Sequence, residues 1–173
     1  MTATQISPWT ESRGRRAWRA GILAGLSGGL AEIAWIALYQ NLTGNASTAV
    51  ARGVTQSVLP ALTSTQAAVP LGLVIHMVLA AALGVAIAIA VRMHLPRVAG
   101  TLWEPVAIVG MLAGVWTVNF FAVLPAINPA FVTLVPYEAS FFSKFLFGFA
   151  AAFVLRMTGQ PSKTAQKEMI NVQ

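Results

Sequence analysis

Four residues are polar where the chain is otherwise apolar: Glu32, His76, Asn119 and Lys144. A carboxylate, an imidazole and an ammonium within reach of one another can pass a proton, hold a small ion or anion, or pair and fix a helix register. An ionisable side chain at the centre of a membrane helix costs roughly 2.5 to 3.5 kcal/mol, so each must face a partner or a water-filled space. At about 1.5 Å per helical residue, Glu32 lies roughly 12 Å inside Gln40, and His76, Asn119 and Lys144 each lie about 9 Å inside Pro70, Pro125 and Glu138. The four therefore share one level in the outer half of a bilayer. Their azimuth, at about 100° per residue, puts Glu32 near the Gly21, Gly25, Gly29 row. His76 falls on the Gly72, Ala80, Gly84 row and Lys144 on the row to Gly148 and Ala152. Asn119 points away from Gly110 and Gly114, so the expected cluster is Glu32, His76 and Lys144, with Asn119 directed toward a different neighbour.

Two uses of that cluster are open. Glu32 and Lys144 can form a buried ion pair that specifies packing, with His76 neutral and hydrogen-bonded. Alternatively the groups line an outward-facing polar pocket and form an ion or proton pathway. Tyr39, Trp116, Ser140 and Ser143 are the candidate supporting groups. No cofactor is expected: the chain has two histidines, on opposite sides of the expected membrane, and no cysteine. That set lacks the donors for a metal or bis-histidine haem site and excludes thiol chemistry. No phosphate loop, HExxH or nucleophile elbow occurs, so no enzymatic activity and no catalytic residue is expected.

The elements that must hold these residues are membrane spans. Of 173 residues, 57% are apolar and 9% charged, against about a quarter charged in a soluble domain. Crossing a bilayer takes about 20 helical residues, and the chain offers such runs at 20–40, 67–91, 105–124 and 139–155. The expected fold is an all-α integral membrane protein, a four-transmembrane-helix bundle occupying 20–155, between a basic segment 1–19 and a polar tail 156–173. The last run is short for a span unless its helix begins earlier.

Nine of the eleven Lys and Arg residues lie at one side of these runs: Arg13, Arg15, Arg16, Arg19, Arg92, Arg97, Arg156, Lys163 and Lys167. Cytoplasmic loops keep such an excess, so both termini are expected in the cytoplasm and the protein in a membrane of the bacterial inner (plasma) type. Trp18 and Trp103 at the inner ends and Tyr39 and Tyr137 near the outer ends fit interfacial anchors. The cations sit at span ends rather than in a patch, so the expected partner is the lipid bilayer and not nucleic acid. The basic stretch before the first run also resembles a secretory signal. That run is about twice the usual length and contains Glu32, so cleavage is not expected.

Between the first two spans, 41–66 is expected to hold a short outer-face interfacial helix capped by Ser47, with Val50, Val54 and Val58 on one side. The segments Val58-Leu59-Pro60-Ala61-Leu62 and Val123-Leu124-Pro125-Ala126-Ile127 resemble each other, as a duplicated hairpin or chance would produce. Small residues recur at spacings of four or eight: Ala17, Gly21, Gly25 and Gly29; Gly72, Ala80, Gly84 and Ala88; Gly110 and Gly114; Gly148 and Ala152. Membrane helices associate by close backbone approach, so small-xxx-small packing on all four spans is expected. The functional expectation is a non-enzymatic accessory or scaffold subunit, as a homo-oligomer or within a larger membrane complex. The alternative is a small proton- or ion-coupled transporter or channel using Glu32, His76, Lys144 and Asn119.

Overall fold

The fold is a computed structural model, described for the backbone of residues 8–159 and the side chains of residues 17–158. The basic side chains Arg13, Arg15, Arg16, Lys163 and Lys167 and most of the polar tail lie outside the described residues. Helices account for the architecture, and there is no strand among the described residues. They are α1 (Pro8–Leu42), α2 (Ser47–Val58), α3 (Ala68–His94), α4 (Glu104–Val118), a π-helical turn (Asn119–Val123), α5 (Leu124–Ile127) and α6 (Tyr137–Gly159). Four stretches are long and apolar enough to cross a membrane: Ala17–Leu42, Ala68–His94, Glu104–Ile127 and Tyr137–Thr158. The fourth helix reaches that length because it starts at Tyr137, ahead of the apolar run.

The third stretch runs beyond Leu124 despite Pro125. A proline inside a helix lacks an N–H and its ring meets the carbonyl four residues back. Here the turn before it widens to π geometry over Asn119–Val123, and Pro125 sits in the first turn of α5. The helix therefore continues to Ile127 before Asn128 ends it.

The long helices stand in the order α3, α1, α6, α4, with α3 and α4 scarcely touching. Glycine sets the closest contact, between α1 and α3. A Cβ on Gly21 would lie 2.7 Å from Val85 Cα, and one on Gly25 would lie 2.8 Å from Ala81 Cα. Gly84 abuts the backbone of Gly21 and Gly25 in return. Between α1 and α6, Gly28 admits the ring of Phe147, which is 1% exposed. Between α6 and α4, Gly148 makes room for Val109.

Gly110 and Gly114 depart from expectation: a Cβ on either would meet nothing within 4 Å. The packed face of α4 is instead Ile108, Leu112 and Trp116. Close packing needs one small partner per contact, and at α4 and α6 that partner is Gly148. The α2 helix departs too. Its N-cap is Ala46, without a side-chain cap hydrogen bond, and Ser47 is the first helical residue. It packs mainly on α3 with Ala51, Gly53 and Thr55 buried, and the Thr55 hydroxyl donates to the Ala68 carbonyl at 2.5 Å.

The similar segments occupy unlike settings. Val58-Leu59-Pro60-Ala61-Leu62 ends the linking helix α2 and enters a 3-10 turn, whereas Val123-Leu124-Pro125-Ala126-Ile127 completes the helix begun by α4. A duplicated hairpin would also pair α3 with α4 as α1 pairs with α6, and that contact is nearly missing.

Ile87, Ala88, Val91, Ile108, Leu112, Phe147, Ala151 and Leu155 form one continuous buried core near the end of the bundle that holds the α3 to α4 connection. Toward the other end, α3 and α4 leave a crevice with α2 against it. Substituting Gly25 or Gly84 with Ala should cost about 1 to 3 kcal/mol of stability through overpacking against backbone. Gly110→Ala should be near neutral. Thermal unfolding of the purified variants in one detergent checks the contrast.

Candidate functional site

The crevice encloses about 630 Å³ and is lined by α1, α2, α3, the π turn, α5 and α6. Its walls are mostly apolar, among them Ile33, Ile36, Val54, Val58, Leu73, Val123 and Ile127. Glu32, His76, Asn119, Ser140, Ser143 and Lys144 all border it. They reach the same space from four elements: Glu32 from α1, His76 from α3, Asn119 from the π turn, and the last three from α6.

Glu32 is the hub. It is 5% exposed, and its Oε1 accepts from Lys144 Nζ. The Ser143 hydroxyl lies 2.9 Å from the same oxygen and 2.7 Å from the Ser140 carbonyl, so its single proton serves one or the other. On the other side, His76 Nε2 stands 3.7 Å from Glu32 Oε2, too far for a hydrogen bond, and it is buried without a partner. Gly29 lets α3 come close here, since a Cβ there would fall 2.6 Å from Ala80 Cβ, while it would meet His76 Nε2 at an ordinary contact distance of 3.7 Å. Thus the glycine row that brings α1 to α3 also seats the imidazole beside the carboxylate.

Asn119 borders the same crevice as Glu32, His76 and Lys144. It lies opposite Gly110 and Gly114, and those glycines face outward. Asn119 follows Ile108, Leu112 and Trp116 along the inward face at steps of four, four and three, which is one helical stripe. Its side chain makes no hydrogen bond among the described residues.

The supporting groups divide. Ser143 touches Glu32, and Ser140 accepts from Trp116 Nε1 at 3.0 Å. Tyr39 stands apart, with its ring 6.2 Å from that of Trp35, and does not border the crevice. Polar anchors without a sequence expectation hold the surrounding helices. Trp35 Nε1 donates to the Ala139 carbonyl at 2.9 Å, tying α1 to α6. Gln40, 2% exposed, donates to the Leu134 carbonyl at 2.8 Å. Asn128 donates to Ser57 Oγ at 3.0 Å and to the Gly53 carbonyl at 3.3 Å, fastening α2 to the loop after α5. The available signal was a lone amide or indole among apolar residues, which must find a partner when buried.

A second hollow, of about 850 Å³, lies at the opposite end between Arg92, Gly100, Glu104 and Arg156. Its carboxylate is already engaged, because Gly100 N donates to Glu104 Oε2 at 2.9 Å. Among the described residues, no group of three or more His, Cys, Asp or Glu side chains is placed to hold a metal ion.

The first crevice can thus offer N–H donors at a polar floor below apolar walls, with the floor's carboxylate already paired. Compared with protein-family models, curated proteins and solved structures, the chain matches none.

Breaking a buried pair leaves one charge uncompensated, at a cost of roughly 3 to 5 kcal/mol. Glu32→Leu and Lys144→Leu should each lower the unfolding midpoint sharply, and the double replacement should recover most of the loss. Unfolding curves of the three variants give the coupling, and additive losses would mean that the pair does not organise the bundle.

Proposed function

We propose that this chain is an integral protein of a bacterial inner (plasma) membrane, crossing it four times with both termini cytoplasmic. On this reading α2 lies at the outer face, and the crevice opens in the outer half of the bilayer. We further propose that it acts as a non-enzymatic accessory or scaffold subunit of a membrane assembly, whose crevice holds a bound group.

The observation that carries this reading is the closed core beneath the polar floor. Ile87, Val91, Ile108, Leu112, Phe147 and Leu155 fill the bundle below Glu32 and Lys144. A one-ended crevice over a packed apolar core favours holding over conduction. The subunit role is supported by the bare face of α4, where Gly110 and Gly114 lie beside exposed Val106, Val118 and Phe121. Such a face lets another helix approach closely in lipid.

The second reading, a proton- or ion-coupled transporter, draws on His76, Glu32, Lys144 and Asn119 sharing one crevice. It predicts pH-dependent flux into liposomes that Glu32→Gln abolishes with assembly intact.

Two measurements test the favoured reading. The chain has no cysteine, so single Cys reporters can be read directly. A membrane-impermeant maleimide should label Asn45→Cys in intact cells and Arg97→Cys only after lysis; the reverse pattern would sink the orientation. For the subunit role, protein purified in mild detergent should carry a second copy or another protein at fixed stoichiometry. Gly110→Leu with Gly114→Leu should release it while the unfolding midpoint stays put. A monomer without any stoichiometric companion would remove the subunit reading.

A further inference from the structure

We propose that the crevice is a binding site for a single-chain aliphatic carboxylic acid, its head at the floor and its chain along the apolar walls. This assignment rests on the membrane reading above and adds the ligand's chemical class.

Size limits the ligand first. A methylene occupies close to the share of liquid volume taken by a water, about 30 Å³. The crevice, at about 630 Å³, therefore holds about twenty non-hydrogen atoms. That suits one long-chain acid. The walls agree with an aliphatic tail, since Ile36, Val54, Leu73, Val123 and Ile127 supply branched apolar surface from five different elements.

The floor selects the head. Glu32 and Lys144 neutralise each other, so a permanently charged head would bring an unbalanced charge among apolar walls, which is costly. A neutral carboxylic acid avoids that cost and presents both an acceptor oxygen and a donor O–H. Lys144 gives one of its three N–H groups to Glu32 and borders the crevice with its side chain 21% exposed, so N–H groups remain for the acid's carbonyl oxygen. The Asn119 amide, which also borders the crevice, is a further donor.

His76 supplies the acceptor. Its Nε2 faces Glu32 and is buried, while the ring borders the crevice with the side chain 29% exposed. A carboxylate beside Nε2 favours the tautomer with its proton there, which leaves Nδ1 as the basic nitrogen. The acid's O–H then donates to Nδ1. If the proton crosses, the O–H bond breaks and an N–H bond forms, giving a carboxylate beside an imidazolium with no change in total charge. The bound head thus bridges the Lys144 ammonium and the His76 imidazole, which border the same crevice.

The test uses the full chain in phosphatidylcholine nanodiscs with palmitic acid carrying a diazirine near the end of its chain. Photocapture should saturate, be competed by unlabelled palmitic acid, and map to residues of α2, α3 or the π turn. Hexadecanol of equal chain length should compete at least tenfold less well, because it lacks the second oxygen. Val54→Trp, which fills the tail channel away from the ion pair, should abolish saturable capture. His76→Leu should weaken it by roughly tenfold, the value of about one hydrogen bond to a polar head. Equal competition by the alcohol would overturn the head assignment. Capture that is non-saturable or indifferent to Val54→Trp would overturn the site, showing only partition into the bilayer. Failure of the chain to enter nanodiscs would instead overturn the membrane reading and this proposal with it, so the two failures are distinguishable.

Discussion

The Glu32 to Lys144 ion pair is the interaction around which the other helices are arranged. It joins α1 to α6, the two helices at the middle of the row, with the carboxylate buried and the ammonium partly exposed to the crevice. Burying two charges is favourable only with close geometry and further hydrogen bonds. Both requirements are met locally. Gly28 admits Phe147 to the α1 and α6 contact one turn from Glu32, and Ser143 sits beside the shared oxygen. The pair and the glycine are thus parts of one device: without the close approach the ammonium would not reach, and without the ammonium the carboxylate would be stranded.

From that central contact the outer helices follow by different means. Gly21, Gly25 and Gly84 bring α3 against α1 almost backbone to backbone, and the same crossing carries His76 to Glu32. On the other flank α4 meets α6 with large residues against the small Gly148, so its own glycines are left outside. The crevice results from this inequality. One flank is drawn in by glycine on both partners and the other is held out by Ile108, Leu112 and Trp116, and α3 and α4 never close the ring. The π turn before Pro125 then places Asn119 and Phe120 toward the gap while letting the helix run on to Ile127.

Much of this was legible in the residues because packing among long apolar helices penalises their alternatives. Long apolar runs and isolated Glu32, His76 and Lys144 read clearly, since each such group needs a partner and helical spacing gives its face. The role of Gly110 and Gly114 did not read, because spacing shows which residues share a face but not which face turns inward. A glycine row fits a contact within the chain and one with another molecule equally well. The same gap applies to Asn119, whose angle relative to the glycines follows from spacing while the inward direction does not. The anchors Trp35, Gln40 and Asn128 depend on pairings across 104, 94 and at most 75 residues of sequence. No local pattern encodes those distances.

The same asymmetry limits what the polar floor can do. A path through the bundle would have to pass between Ile87, Val91, Leu112 and Phe147, which are 4%, 1%, 0% and 1% exposed. Cores packed at such density do not open by small continuous shifts; they rearrange between discrete packings or not at all. A rearrangement that parted α4 from α6 would have to withdraw Val109 from Gly148 and leave the indole N–H of Trp116, which donates to Ser140, without its acceptor. By contrast, occupying the crevice requires no contact to break, since its walls already stand apart and Lys144 and Asn119 still have donors to give. The cheaper event is therefore filling the space from its open end, with the ion pair left intact as the floor.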